Sequence, residues 1–194
     1  PDPSTGSGQA RPFFCYLTTN APHGPFIAPP SNTKRFTDLG FAKNTAGFYG
    51  MIENIDDNFG AMMAKLREWK ALENTLVIFM GDNGSAIGSE VYSAGMRAQK
   101  GSYYEGGHRV HCFVRWPNGP IGSPRAIDDL THVQDLLSTL IDLCGLEGPE
   151  GVAFDGTSLA PLLIDGQDRL PEDSKAPLRL PPDQLFPAPP PPAT

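Results

Sequence analysis

The sequence predicts an α/β fold, helices with a parallel or mixed sheet, on three observations. Thr75-Leu76-Val77-Ile78-Phe79-Met80 is an apolar, β-branched run that stops abruptly at Gly81-Asp82-Asn83-Gly84, the pattern of a buried strand ending in a polar loop. Upstream, Phe48, Ile52, Ile55, Phe59, Met62, Leu66 and Trp69 recur at spacings of four and three, which is one apolar stripe along a helix. Downstream, Val110-His111-Cys112-Phe113-Val114-Arg115-Trp116 returns to strand chemistry before the turn Pro117-Asn118-Gly119-Pro120.

The remaining elements follow in chain order. Residues 1–12 read as a linker rich in Pro, Ser and Gly. Residues 13–165 carry the folded part. Phe13 to Thr18 is a short aromatic run expected to form a core strand. It ends in Thr19-Asn20-Ala21-Pro22-His23-Gly24-Pro25-Phe26, where two prolines fix an extended loop around one histidine. Residues 29–41 look irregular, with at most a short turn of helix. The striped helix is expected from Thr45 to Ala71, which at 1.5 Å per residue spans about 40 Å. Asp56 and Asp57 are adjacent on it and so diverge; they read as a solvated face, not a carboxylate pair. The chain stays polar and Gly-rich to Gly107, with no clear period between Ser85 and Gln99, and a loop of that length is usually functional or disordered. Thr131 is placed to cap a helix from His132 to Cys144. Val133, Leu136, Leu137, Leu140, Ile141 and Cys144 would form its inner face, and Gly145 would end it. Ser158 to Ile164 predicts a short helix. From residue 166 a run of prolines excludes regular structure and predicts a disordered tail, partly polyproline.

Composition removes several function classes. The formal net charge is −7, against the basic face that nucleic-acid binding needs. Cys15, Cys112 and Cys144 form no C-x-x-C pair, so buried free thiols are expected rather than a zinc or redox site. No apolar run is long enough to span a membrane. The first residues lack the basic and apolar regions of a signal peptide, and there is no initiator Met; the chain reads as part of something longer.

Ligands in open α/β sheets bind at the carboxyl ends of strands. Two predicted strands deliver polar groups there. Asp82 and Asn83 place a carboxylate beside an amide carbonyl, hard oxygens suited to Ca²⁺ or Mg²⁺, although Asp-Asn-Gly is also sound turn chemistry with no metal. A lone loop histidine is usually just solvated, but His23 sits between Pro22 and Pro25, which restrict its backbone as preorganisation requires. Lys100-Gly101-Ser102-Tyr103-Tyr104-Glu105-Gly106-Gly107-His108-Arg109 combines positive charge with glycines that permit close backbone approach.

Four segments, in order, resemble the sulfatase family of the alkaline-phosphatase-like superfamily. They are Asn20-Ala21-Pro22-His23-Gly24-Pro25-Phe26, Tyr49-Gly50-Met51-Ile52-Glu53-Asn54-Ile55-Asp56, Asp82-Asn83-Gly84, and Lys100-Gly101 followed by Glu105-Gly106-Gly107-His108-Arg109-Val110. Phe154-Asp155-Gly156-Thr157-Ser158-Leu159 with Pro161-Leu162-Leu163 is similar to the segment that closes the family's catalytic domain. The resemblance implies a partial alkaline-phosphatase-like mixed sheet, from the C-terminal half of the catalytic domain. It implies sulfuric ester hydrolase chemistry, with Asp82 and Asn83 as half of a Ca²⁺ (or Mg²⁺) site, His23 near the leaving-group oxygen and Lys100 neutralising sulfate oxygens. It also implies a sulfate-ester substrate and a periplasmic, lysosomal or secreted setting.

The departures are equally specific. The family's formylglycine nucleophile arises in a C/S-x-P/A-x-R motif, and none occurs here. Ser31-Asn32-Thr33-Lys34-Arg35 is a near miss, with Thr33 in place of Pro or Ala. The first metal-binding aspartates and the earlier Lys and His have no counterpart. His111 stands where the family usually has Pro. Asn83-Gly84-Ser85 matches a glycosylation sequon by chance. This chain alone is therefore expected to be inactive and to need the missing N-terminal half. The alternatives are a non-catalytic remnant or binding fragment, and a phosphatase or phosphonate hydrolase of the same superfamily.

Overall fold

The computed structural model describes residues 12–164. The expected linker, apart from Pro12, and the expected Pro-rich tail lie outside the described residues. The described residues divide into two compact units, one made of residues 12–70 with Met80–Cys112, the other of Ala71–Phe79 with residues 113–164.

The first unit is built on two helices. Helix α1 spans Pro30–Asp38 and α2 spans Lys43–Glu68. The segment before α2, expected to be mostly irregular, is thus a nine-residue helix. Pro30 starts it rather than breaking it, because a first-turn proline has the right φ and its missing N–H had no partner to lose. Asn32 and Phe36 are its buried face. Phe36 stacks on Tyr49 of α2 with ring centroids 5.5 Å apart, and Phe41 joins them at 5.8 Å from Tyr49. Arg35 Nε lies 3.0 Å from Glu53 Oε2, and the buried Asn32 Nδ2 donates to Asp57 Oδ2 at 2.8 Å. Asp57 is therefore the partner of a buried amide, not merely part of a solvated face.

The stripe on α2 is covered unevenly. Buried residues gather between Thr45 and Met51, with Leu66 further on, while Ile52 is 41 % and Trp69 62 % exposed. Helix α1 meets α2 at Tyr49, Gly50, Glu53 and Asp57, beside the stripe rather than on it. Phe13 to Thr18 does not form the expected strand. It has no regular structure, and Phe14 is 81 % exposed. A strand needs a ladder partner, and no described strand supplies one.

In the second unit, β1 (Val77–Met80) pairs with β2 (Cys112–Arg115) in a two-stranded sheet; Met80 and Cys112 themselves belong to the first unit. Both strands are shorter than expected, and β1 is half-buried rather than buried. Arg115 fastens β2 to the 3₁₀ turn Leu72–Asn74, donating to Leu72 O at 3.3 Å and to Glu73 Oε1 at 3.2 Å. Within the first unit lies the four-residue α3, Glu105–His108.

Helix α4 runs Asp135–Cys144, three residues shorter at its start than expected. Asp135, not Thr131, organises that end: its Oδ2 accepts from His132 N at 2.6 Å and its Oδ1 from Thr157 N at 2.9 Å. Gly145 ends α4 in the left-handed region (φ +60°), with Leu146 N donating to Ile141 O, the expected glycine stop. The expected inner face is only partly inward, since Val133 and Leu137 are more than half exposed whereas Thr139 is buried. Helix α5 (Ala160–Leu163) packs there, with Thr139 Oγ1 accepting from Leu159 N. All three cysteines are exposed, against the expectation of buried thiols. Their apolar neighbours are uncovered too, as at Phe14, Leu17 and Phe113.

Candidate functional site

All four residues singled out by the sequence, His23, Asp82, Asn83 and Lys100, lie in the first unit. Asp82 and Asn83 follow β1 directly. Gly81 N still donates to His111 O at 3.2 Å, and the chain leaves the ladder at Asp82. Asp82 is exposed and Asn83 half-buried. Asn83 turns back on its neighbour: its backbone N–H donates to Asp82 Oδ1 at 2.9 Å and its Nδ2 to Asp82 Oδ2. The nitrogen of the would-be sequon is thereby engaged with the carboxylate.

The polar loop returns to this corner. Gly84 N donates to Gly107 O at 3.0 Å, Lys100 N to Ser85 O at 2.9 Å, and Gly106 N to Arg97 O at 2.9 Å. The approach is too close for side chains: a Cβ on Gly84 would lie 1.9 Å from Gly106 O. The backbones of Asp82-Asn83-Gly84 and of the Lys100 loop thus form one hydrogen-bonded cluster. Lys100 is exposed, and no carboxylate among the described residues is within ion-pair distance of it.

His23 is held by its own loop. His23 N donates to Asn20 O at 2.9 Å, and the ring Nδ1 lies 3.0 Å from Gly24 O. With Nδ1–H donating to that carbonyl, Nε2 is the bare nitrogen of the neutral ring. The Ala21–Pro22 and Gly24–Pro25 peptides are cis. Three residues on, Phe26 meets Phe48 of α2 edge to face at 6.1 Å, and its carbonyl presses on Gly47, where a Cβ would be 2.3 Å away. The His23 ring makes no hydrogen bond to Asp82, Asn83 or Lys100. What the loops share is α2: Phe48 takes Phe26, and Tyr49 Oη donates to Gly88 O at 2.9 Å.

Two groups here carry no obvious sequence signal. Glu90 ties the loop to α2, accepting from Thr45 Oγ1 at 3.1 Å and from Gly88 N at 2.8 Å. Its own backbone N–H holds the carboxyl below the usual range; burial opposes this, and Thr45 and Gly88 add to the lowering. Burial, and then the Glu90 charge, push the Tyr49 phenol up. Arg97 is the second: its guanidinium lies over the Tyr104 ring at 3.5 Å. The loop has no period, so neither pairing could be read from spacing.

Comparison with known proteins gives a consistent result. The Sulfatase family model matches residues 6–146. The chain is 35 % identical over 162 residues to N-acetylgalactosamine-6-sulfatase of Sus scrofa, covering 81 % of this chain and 29 % of that protein. It is 34 % identical over 171 residues to arylsulfatase A of Homo sapiens, covering 86 % and 31 %. Among solved structures, Ps i-CgsB in complex with k-i-k-neocarrahexaose superposes with a TM-score of 0.71 at 31 % identity, over 79 % of this chain and 34 % of that one. The chain spans less than a third of the length of these two curated relatives. Its α/β architecture, a small sheet with helices, is part of the fold of that structural relative. With the family model covering most of the chain and its segments in order, this polypeptide belongs to the sulfatase family.

Proposed function

We propose that this chain is the C-terminal part of a sulfuric ester hydrolase and carries some of the groups that hold a sulfate ester and a divalent cation. The observation that carries the reading is the backbone cluster in which Gly84 pairs with Gly107 and Lys100 with Ser85. It ties together, through their backbones, the segments that carry the Asp82 carboxylate, the Asn83 amide and the Lys100 ammonium. Asp82 and Asn83 would offer hard oxygens to Ca²⁺ or Mg²⁺. They fit as part of a shell, not a whole one. Ca²⁺ takes six to eight oxygens, and among the described residues no group of three or more His, Cys, Asp or Glu could hold a metal. When bound, the cation would supply positive charge to the ester oxygens.

Sulfuryl transfer asks mainly for positioning and charge stabilisation. Lys100 supplies one exposed positive charge for equatorial sulfate oxygens. His23, in protonated form, supplies a proton to the departing alcohol oxygen from Nε2, while Nδ1–H holds the ring to Gly24 O. This sequence has no C/S-x-P/A-x-R motif, so the nucleophile would have to come from another part of the protein. The exposed Phe13, Phe14, Tyr16 and Leu17 suit a surface covered by the remainder of such a domain. One relative is named N-acetylgalactosamine-6-sulfatase and another is bound to a neocarrahexaose. Both favour a sulfated sugar as substrate, in the periplasmic, lysosomal or secreted setting implied by the motifs. Among the described residues no helix is long and apolar enough to cross a membrane.

The test compares the chain alone with the chain preceded by its own upstream coding sequence, both assayed on an aryl sulfate with added Ca²⁺. The chain alone should not turn over. The longer protein should, and Lys100→Ala or His23→Ala should each reduce its kcat by about 10²- to 10³-fold, as for loss of one charge-stabilising group. Robust turnover by the chain alone, or indifference of the longer protein to both substitutions, overturns the proposal.

A further inference from the structure

We infer that Arg97 forms a second anion subsite beside Lys100, so that the preferred ligand is a sugar bearing two anionic groups rather than one. The inference rests on Lys100 being a sulfate contact and adds to it a substrate class. Three observations carry it.

The first is charge. In a chain of net charge −7, the stretch 97–109 holds Arg97, Lys100 and Arg109 against a single carboxylate, Glu105. None of the three cations is ion-paired among the described residues, whereas Lys34, Arg35, Lys65 and Arg115 each are. The second is how Arg97 is held. Its guanidinium lies over the face of Tyr104 at 3.5 Å. Stacking uses the face of the plane and leaves the N–H donors at its edge unspent. The structural arginine Arg115 spends its donors on Leu72 O and Glu73, and Arg125 on Leu162 O and Ile164 O. Arg97 is exposed, and its side chain makes no hydrogen bond among the described residues. A guanidinium fixed by its face and open at its edge suits bidentate binding of a sulfate or carboxylate. The third is position. Arg97 O accepts from Gly106 N and Lys100 N donates to Ser85 O, which ties the backbones of both residues to the cluster that contains Asp82-Asn83-Gly84.

Calorimetric titration of the full chain with glucose 6-sulfate and with glucose 3,6-disulfate tests this. The disulfated sugar should bind at least tenfold more tightly. Arg97→Gln should remove that preference while leaving the monosulfated affinity within twofold, and Arg97→Lys should restore only part of it, since an ammonium lacks the fork. Tyr104→Leu, which leaves the charge and removes the stack, should also reduce the preference. Circular dichroism establishes that each variant is folded. A preference that survives Arg97→Gln, or no preference in the unaltered chain, overturns the subsite. Lys100→Gln addresses the underlying reading separately: it should weaken both ligands equally, and unchanged affinity for both would remove the sulfate contact on which the subsite rests.

Discussion

Replacing Gly47 by Ala tests whether α2 positions the His23 loop. Ala is the better helix former, by about 1 kcal/mol in a helix interior. Propensity alone therefore predicts stabilisation. Packing predicts the reverse, because the new Cβ would stand 2.3 Å from Phe26 O and 3.1 Å from Phe26 C. Those are backbone atoms, which cannot swing aside as a side-chain tip can. Overpacking of this kind costs about 1–3 kcal/mol, and with backbone as the obstacle the upper half of that range applies. The net expectation is destabilisation of about 1–2 kcal/mol. Gly60 is the internal control, for it lies in the same helix with nothing within 4 Å of the place a methyl group would take; Gly60→Ala should stabilise by about 1 kcal/mol. Urea unfolding followed by circular dichroism measures both, with a shift of midpoint at constant slope as the signature. If Gly47→Ala stabilises as Gly60→Ala does, the Phe26 carbonyl does not rest on α2, and the placement of the His23 loop falls with it.

Ala98 has φ +64°, where a side chain costs about 1–2 kcal/mol relative to glycine; Ala98→Gly should raise the thermal midpoint, and a fall would count against the loop geometry. Asp57→Ala should destabilise by about 1–3 kcal/mol, because it leaves the buried Asn32 amide without its acceptor. Asp56→Ala, next to it, should stay within about 0.5 kcal/mol in the same denaturant titration. Glu90 has a lowered folded pKa, so its contribution is fully present above the unfolded value of about 4.3 and fades as pH falls through the folded one. Unfolding midpoints of Glu90→Gln and the unaltered chain should therefore differ near neutral pH and converge in acid; a gap that persists in acid would refute a charge-dependent tie of the loop to α2 through Glu90.

The sequence by itself determined the α/β class, the long helix, both strands of the sheet and the order of the family segments, and for a physical reason. Periodicity of 3.6 or 2 and abrupt Gly-Asp-Asn-Gly stops are local properties of the chain. Gly145 and Asp82-Asn83 were legible in the same way, one as a helix stop, the other as the end of a strand. Tertiary structure alone decided how far each apolar face is covered. Phe13 to Thr18 has strand chemistry but no ladder partner among the described residues, so it stays irregular and exposed. The stripe on α2 is apolar throughout, yet Phe48 and Leu66 are buried while Ile52 and Trp69 are exposed. Asp57, Glu90 and Arg97 took their partners from residues distant in sequence or from an aperiodic loop. Pairings of that kind depend on which surfaces meet, and no local pattern encodes them.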